Sequence, residues 1–424
     1  MSFTPATLPN GKPVNERLTL AMLAAVQFTH VLDFMVMTPL GPYLMDVFSI
    51  NPAQFGRLVA IYGLAAALSG LAGGAFLDRL NRKRAMLACY AGFCAATLAC
   101  ALAPGPGALM AARFIAGACG GLSSSLVVAM VADFIPPERR GRAMAVVAVA
   151  FPVAQVLGLP LGLVLAEHFG WHATFLLIFG ASVPVLLLGA RVLPSIRPPA
   201  GAGAALGPLA QMRAILTHPL HLRGFWLTAS LVLAGGSIFP FIAPHMVANV
   251  GIPRASIVWL YLVTGAVQFF TTPLVGRLVD RHNKVRLLGV FTLGSLAAVF
   301  TLTNLPPVPL PLAILASTAF GIAMSSRFPP AMTMLTNAVG ARYRGGFMSM
   351  NFAIQNLAGA IANMTAGALI TERADGTLAG FPLAGLFAAF WVCATYFLAR
   401  RVAALAPHAA LPGRPPAGAD AGGE

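Results

Sequence analysis

The chain contains 424 residues, of which 58% are hydrophobic and only 9% carry a charged side chain. Soluble globular proteins carry about 25% charged residues, so the composition excludes soluble enzymes, nucleic-acid-binding proteins and disordered scaffolds. The formal net charge of +15 would ordinarily favour an anionic partner. The basic residues lie between long apolar runs, however, where Lys and Arg set the orientation of membrane helices. We therefore expect a multi-pass membrane protein with no nucleic-acid partner.

Twelve apolar runs are long enough, at about 20 residues each, to cross the hydrocarbon core as helices. The first six lie at Leu18–Met45, Leu58–Leu77, Ala85–Leu102, Leu109–Ala132, Ala143–Ala166 and Thr174–Leu193. The second six lie at Phe225–Val250, Ile257–Val279, Leu287–Leu302, Leu310–Leu335, Phe347–Ile370 and Phe381–Leu398. The sequence thus predicts an all-α polytopic membrane protein of twelve transmembrane helices.

The polar stretches divide the chain into two bundles of six helices and three connecting or terminal segments. These are a cytoplasmic N-terminus (1–17), a first bundle (18–193), a cytoplasmic linker rich in Pro, Gly and Ala (194–222), a second bundle (223–401) and a disordered cytoplasmic tail (402–424).

The basic residues predict the orientation of the helices. Of the 27 Lys and Arg residues, Arg113 and Arg327 lie within spans. With both termini in the cytoplasm, Arg57, Arg254 and Arg373 are the only others that do not lie on the cytoplasmic side. This is the positive-inside pattern. The Ala-, Gly- and Arg-rich composition is typical of a GC-rich bacterium, so we expect the protein in a bacterial inner membrane, with the lipid bilayer as a partner.

An internal repeat relates the two predicted bundles. A segment at Gly74 recurs at Gly276, 202 residues later, and a segment at Arg140 recurs at Arg344, 204 residues later. In the first pair, Gly74, Asp78, Arg79, Asn81 and Arg82 align with Gly276, Asp280, Arg281, Asn283 and Lys284. Duplicated bundles favour a transporter, because alternating access needs two rigid units that rock about a central site.

The repeated loop resembles the signature of the major facilitator superfamily between its second and third helices, and the resemblance extends over residues 18–401. It implies two pseudo-symmetric six-helix bundles. The family usually has Gly where this chain has Asn81, and Asn283 fills the matching position. We expect these Asn residues to replace Gly in a left-handed backbone conformation.

Two further segments resemble motifs of the drug:proton antiporter branch. Arg113-x-x-x-Gly117 is similar to the motif of proton-coupled members, although Ala116 replaces the usual polar residue. The segment 158–162, with Gly158, Pro160 and Gly162, is similar to a shortened form of the Gly-Pro motif of antiporters. The resemblance implies helix packing and a hinge at these three residues.

Asp33 is the one acid, among 12 Asp and Glu residues, that lies well inside a predicted span. Carboxyl groups at that depth mostly line cavities or form ion pairs, and they can bind and release protons. His30 and Gln27 precede it at intervals of about one turn, so the three share a helix face. The family resemblance places Arg113 opposite Asp33. One interpretation is proton coupling by Asp33, Arg113 and His30. The other is structural: Asp33 forms an ion pair, and His30 is hydrogen-bonded between helices.

A substrate cavity is predicted from the remaining polar residues within spans. Arg327 precedes two prolines, so it either meets an anionic or carbonyl group of the substrate or binds the backbone carbonyls that the prolines leave free. Gln27, Gln268, Asn351 and Gln355 are expected to line the same cavity.

A cytoplasmic gate is predicted at the repeated loop. The resemblance implies that Asp78 docks at the start of the eleventh helix, and Arg82 is placed to reach Asp133 at the end of the fourth. Such contacts would hold the two bundles together on the inside. The predicted gating residues are Asp78, Arg79, Arg82, Asp133, Asp280 and Arg281.

These features predict a proton-coupled secondary active transporter that exports small apolar or amphipathic molecules by alternating access. The alternative is a symporter or facilitator that imports a small organic anion or another metabolite. A membrane enzyme or receptor would need a catalytic or metal-binding motif, and the sequence has no Walker loop, zinc motif or nucleophile elbow. We therefore expect a monomeric transporter, not an enzyme, that uses the proton gradient and needs no metal or cofactor.

Overall fold

The computed structural model describes residues 6–7, 13–76, 81–195 and 208–411, and nearly all of these are helical. The predicted all-α fold class is confirmed. Contacts between Cα atoms divide the chain into two compact units. Unit 1 comprises Met1–Ile50 and Ile61–Ala204, and unit 2 comprises Asn51–Ala60 and Ala205–Glu424.

Unit 1 holds the helices of the first half of the chain. They are α1 (Glu16–Val36), α2 (Gly41–Val47), α3 (Pro52–Phe76, from Ile61 onward), α4 (Arg82–Ala101), α5 (Pro106–Phe134), α6 (Pro137–Ala148), α7 (Ala150–Val153), a π-helical turn (Ala154–Gly158), α8 (Leu159–Phe169) and α9 (His172–Val192). A short antiparallel pair, β1 (Ala6–Thr7) and β2 (Pro13–Val14), precedes them.

Unit 2 holds the start of α3 and the helices of the second half. They are α10 (Pro208–Thr217), α11 (Pro219–Gly236), α12 (Ile242–Ala248), α13 (Ile257–Arg281), α14 (Lys284–Thr303), α15 (Leu310–Ser326), α16 (Phe328–Ala338), α17 (Ala341–Leu369), α18 (Phe381–Leu405) and α19 (Pro407–Ala410). Two 3₁₀ turns (Phe239–Phe241 and Arg254–Ser256) and the antiparallel pair β3 (Thr371–Glu372) and β4 (Leu378–Ala379) connect them.

The described part of the chain contains eleven helices that are long and apolar enough to cross a membrane. The helix at the predicted eleventh span, α17, is 29 residues long and is not among those eleven. The count of twelve transmembrane helices therefore stays a prediction.

Both halves break their first predicted span at the same place. The first span is not one helix: α1 ends at Val36, residues 37–40 form turns, and α2 follows. The matching span of unit 2 breaks after Gly236 and resumes with a 3₁₀ turn. The cause is proline, because Pro39 and Pro240 lack the amide N–H that would continue the helical hydrogen-bond ladder.

Helical order extends into the segments predicted to be linker and tail. Helix α10 lies within the predicted linker, and Ile215 on it is buried in an apolar cluster with Leu335 and Phe347. Residues 402–411, expected to be disordered, instead complete α18 and form α19, whose Ala409 and Ala410 are buried in the same cluster. The stretch 402–411 is rich in Ala, which resembles low-complexity sequence but is also the residue with the highest intrinsic helix propensity.

Glycine allows the same close helix approach in both units. A Cβ on Gly117 of α5 would lie 2.3 Å from the carbonyl oxygen of Tyr62 on α3. A Cβ on Gly321 of α15 would lie 2.7 Å from Cγ2 of Thr264 on α13. Both pairs occupy corresponding positions of the repeat, 204 and 202 residues apart. The duplicated sequence thus produces a duplicated packing contact.

Candidate functional site

Helices α1 and α5 bring Asp33 and Arg113 together inside unit 1. Nη1 of Arg113 donates a hydrogen bond of 2.7 Å to Oδ2 of Asp33 and a second, of 3.0 Å, to the backbone carbonyl oxygen of Asp33. Both side chains are 0% exposed. The contact between them, expected from the family resemblance, is therefore present as a fully buried ion pair.

Tyr62 on α3 is a third member of this site and was not predicted from the sequence. The guanidinium carbon of Arg113 lies 4.5 Å from the centre of the Tyr62 ring, a cation–π distance. Gly117 and Gly120 on α5 make this possible, because a Cβ at either position would collide with Tyr62. The available signal was the Gly117-x-x-Gly120 spacing, which places two small residues on one helix face.

Part of the hydrogen-bonding capacity of the ion pair is unused. Within the described residues, Oδ1 of Asp33 and both Nε and Nη2 of Arg113 are buried without a hydrogen-bond partner. Protonation of Asp33 would remove the charge that holds Arg113 in place. The hydrogen bond of Arg113 to the Asp33 backbone carbonyl and its contact with the Tyr62 ring do not depend on that charge.

His30 lies next to the ion pair in an aromatic environment. Its ring packs edge-on against Phe93 and Tyr90, with centroid distances of 4.3 and 5.5 Å. Both ring nitrogens are buried and have no hydrogen-bond partner among the described residues, so His30 is not bonded between helices. Gln27, expected on the same face, is only half-buried.

The predicted hinge residues hold the fifth predicted span against α1. A Cβ on Gly158 would lie 2.6 Å from the side chain of Leu32, the neighbour of Asp33. Gly162 packs as closely against Thr174, whose hydroxyl donates to the Gly162 carbonyl at 2.8 Å. The π-helical turn Ala154–Gly158 lies just before Pro160, whose missing N–H permits the wider turn.

In unit 2, the predicted cavity residues lie on different elements: Gln268 on α13, Arg327 between α15 and α16, and Asn351 and Gln355 on α17. Arg327, at the break between α15 and α16, is fully buried, and its one hydrogen bond to a described residue runs from Nη2 to the sulfur of Met324 at 3.3 Å. Asn351 is 1% exposed, and its Oδ1 has no partner within the described residues. Gln268 packs against Gly321, whereas Gln355 is half-buried.

Some of the predicted gating residues can be placed. Nε of Arg82 donates to Oδ2 of Asp133 at 3.0 Å, so the expected pair is present. Both residues belong to unit 1, and this pair therefore does not connect the two halves. Asp280 and Arg281 are exposed at the end of α13, whereas Asp78 and Arg79 lie outside the described residues.

The backbone explanation for the two repeated Asn residues was wrong. Asn81 has φ −61° and Asn283 has φ −63°, neither of which is left-handed. Both are N-caps: the side-chain oxygen of Asn81 accepts from the Arg84 amide, and that of Asn283 accepts from the Arg286 amide. Asn is among the best N-cap residues, so Asn81 and Asn283 stabilise the starts of α4 and α14.

Comparisons with known proteins agree on one family for this chain. The family model described as Major Facilitator Superfamily matches residues 23–239 and 224–419. The uncharacterised MFS-type transporter YceJ of Bacillus subtilis is 28% identical over 276 residues, which is 64% of this chain and 70% of that protein. The multidrug efflux pump LfrA of Mycolicibacterium smegmatis is 30% identical over 197 residues, 46% of this chain and only 39% of that protein.

A solved structure shares the fold. The bacterial homologue of the human lysosomal transporter Spinster superposes with a TM-score of 0.68 at 20% identity, covering 92% of this chain and 96% of its own. The two-unit helical architecture, the internal repeat and the family match lead to one conclusion. The chain is a multi-pass membrane transporter that belongs to the major facilitator superfamily.

Proposed function

We propose that the chain is a proton-coupled secondary active transporter that exports small apolar or amphipathic molecules by alternating access. It acts as a monomer in a bacterial inner membrane, with both termini in the cytoplasm. Its partners are the substrate, protons and lipid. The proton gradient supplies the energy, so no cofactor is needed.

The observation that carries the proposal is the buried pair of Asp33 and Arg113. Its two side chains are 0% exposed, and no other described carboxylate is as deeply buried. Burying an ion pair costs several kcal/mol of desolvation free energy, which the mutual attraction often only just offsets. A protein that needed only packing would be served as well by apolar side chains, so a switchable charge is the better explanation.

A protonation cycle follows from the contacts of the pair. With Asp33 ionised, its carboxylate holds Nη1 of Arg113. With Asp33 protonated, the attraction between the two charges is lost, and Arg113 retains the Asp33 backbone carbonyl and the Tyr62 ring as partners. The two protonation states thus prefer different positions of α1 relative to α5, which is what coupling requires.

The direction of export is supported by the antiporter-like segment at Gly158–Gly162 and by LfrA, a multidrug efflux pump. The second candidate function is import of a small organic anion, which the buried cation Arg327 favours.

The test is transport by purified protein in proteoliposomes under an imposed pH gradient, after a dye and drug panel has identified a transported compound. Asp33→Asn should abolish accumulation driven by the pH gradient while substrate exchange without a gradient continues. Asp375→Asn is the matched control: it removes an exposed carboxylate from the loop before β4 and should leave accumulation unchanged. If Asp33→Asn still concentrates substrate on the pH gradient alone, proton coupling at Asp33 is wrong.

A further inference from the structure

Unit 2 contains a buried cation that forms no salt bridge with any acid in the described part of the chain. Arg327 is 0% exposed. Its Nε and Nη1 have no hydrogen-bond partner among the described residues, and Nη2 donates only to the Met324 sulfur. A thioether is a weak acceptor, so the guanidinium group has almost none of the hydrogen bonds it would have in water.

The structural role that the sequence left open for Arg327, binding the backbone carbonyls that the prolines leave free, is not seen among the described residues. Pro329 and Pro330 lack the amide N–H groups that would bond to the carbonyls of Ser325 and Ser326. The Arg327 guanidinium donates to neither carbonyl. The prolines therefore explain the break between α15 and α16, but they do not explain the Arg.

An ion pair within the described part of unit 2 is excluded as well. The described acids of this unit are Asp280, Glu372 and Asp375, all exposed at helix ends or in a loop. None forms a salt bridge with Arg327. The first turn of α16 begins at the next residue, and a helix N-terminus adds further positive potential.

A buried charge without a partner is strongly unfavourable. Such a charge is retained where a ligand supplies the missing counter-ion, as membrane-embedded ionisable residues mostly mark substrate or ion pathways. Arg also has the planar geometry that binds a carboxylate through two parallel hydrogen bonds. Nε and Nη1 have no hydrogen-bond partner among the described residues, and Nη2 has a second hydrogen besides the one that faces Met324, so a parallel pair of donors is available.

We propose that Arg327 is the recognition site for the anionic group of the substrate, and that the transported molecule is an organic monoanion, of which a carboxylate is the best fit. This proposal rests on the proposed function, because it assumes that the chain transports a substrate. It narrows the expected substrates from apolar or amphipathic molecules to amphipathic molecules that carry one negative charge.

The first experiment measures ligand-induced thermal stabilisation of the purified protein in detergent, which needs no proton gradient. The probes are sodium benzoate, its uncharged isostere benzamide and sodium chloride. Benzoate should raise the melting temperature in a saturable manner, and benzamide and chloride should not. Arg327→Met should weaken the apparent affinity for benzoate by roughly thirtyfold or more, the loss expected when one partner of a buried charge pair is removed.

Two control variants separate this proposal from the proposed function. Arg277→Gln removes an exposed cation from α13 and should keep the benzoate response. Asp375→Asn removes an exposed carboxylate and should also keep it. The benzoate response is measured without a pH gradient, so a failure of proton coupling and a failure of anion recognition give different results. Arg327→Lys keeps the charge but not the planar geometry, and should retain a weakened response.

The melting temperature without ligand gives a second test. Because Arg327 has no counter-ion, Arg327→Met should melt at the same temperature as the wild type or higher. A benzoate response equal to that of benzamide would overturn the proposal, as would no response to benzoate, or one that persists in Arg327→Met. An equal response to chloride would indicate an inorganic anion site and overturn the substrate assignment. A melting temperature of Arg327→Met well below the wild type would indicate a structural role for the cation.

Discussion

The two halves of the chain repeat their helix packing but not their buried charges. Unit 1 places Asp33 against Arg113 in a fully buried ion pair. The corresponding positions of unit 2, 202 and 204 residues later, are Gly235 and Ser317, which carry no charge. Unit 2 instead has Arg327, and the position 204 residues before it in unit 1 is Ser123. Among the described residues, Arg113 and Arg327 are thus the two arginines that are 0% exposed, one in each half, and of these two only Arg113 has an acid beside it.

The shared features of the halves concern shape and helix ends. Arg140 donates to the carbonyl of Ile135 at 3.0 Å, and Arg344, its counterpart, donates to that of Val339 at 3.3 Å. In both cases a cation lies at the end of the preceding helix, where the helix dipole favours positive charge. The two halves thus share the glycines that allow close helix packing and the arginines at the helix ends, but the fully buried ion pair of unit 1 has no counterpart at the corresponding positions of unit 2. Such a division suits a transporter in which one half handles protons and the other the substrate.

The largest effect is expected from separating the ion pair of unit 1. Arg113→Gln should lower the free energy of unfolding by about 3–5 kcal/mol at a pH where Asp33 is ionised, because a buried carboxylate is left unpaired. The Asp33→Asn, Arg113→Gln double variant should recover most of that loss. Thermal unfolding in detergent, as a double-mutant cycle, measures the coupling. Additive losses would mean that the two residues do not act as a pair.

A smaller effect is expected from the glycines that both halves share. Gly117→Ala places a methyl group 2.3 Å from a backbone oxygen of Tyr62, whereas Gly321→Ala meets only the side chains of Gln268 and Thr264, at 2.6 and 2.7 Å. Side chains can move aside more easily than backbone, so Gly117→Ala should cost about 2–3 kcal/mol and Gly321→Ala about 1 kcal/mol. The unfolding temperatures of the two variants give this order. The reverse order would contradict the view that the backbone contact of Gly117 is the less yielding of the two.

The smallest effect concerns a second difference between the halves. Arg82 pairs with Asp133, which is 29% exposed, whereas its counterpart Lys284 donates to the backbone carbonyl of Leu411 at 2.7 Å. Lys284→Met should cost about 1 kcal/mol, the net value of one such hydrogen bond. In a chain that ends at Ala406 the same substitution should have no effect, since its partner is gone. An equal loss in both chains would show that the Leu411 contact contributes nothing.

The repeat and the helical spans could be predicted because they depend on local motifs and apolar run length. The isolation of one acid in a span pointed to Asp33, whereas its pairing with Arg113 was predicted from the family resemblance alone. Other features depend on tertiary contacts that no local pattern records. Tyr62 was missed because its role comes from lying above the Arg113 guanidinium. The order of residues 402–411 was missed because Ala409 and Ala410 are buried by contacts with distant helices.

The central claim is that Asp33 is the group that takes up the coupled proton. Infrared difference spectroscopy of the purified protein, recorded across a pH titration, measures carboxyl protonation directly and needs no known substrate. We expect a band from the buried, protonated carboxyl group of Asp33 that appears on acidification and shifts in frequency when Arg113 is replaced by Gln. The band should be absent in Asp33→Asn and unchanged in Asp375→Asn. A spectrum of Asp33→Asn identical to that of the wild type would contradict the claim.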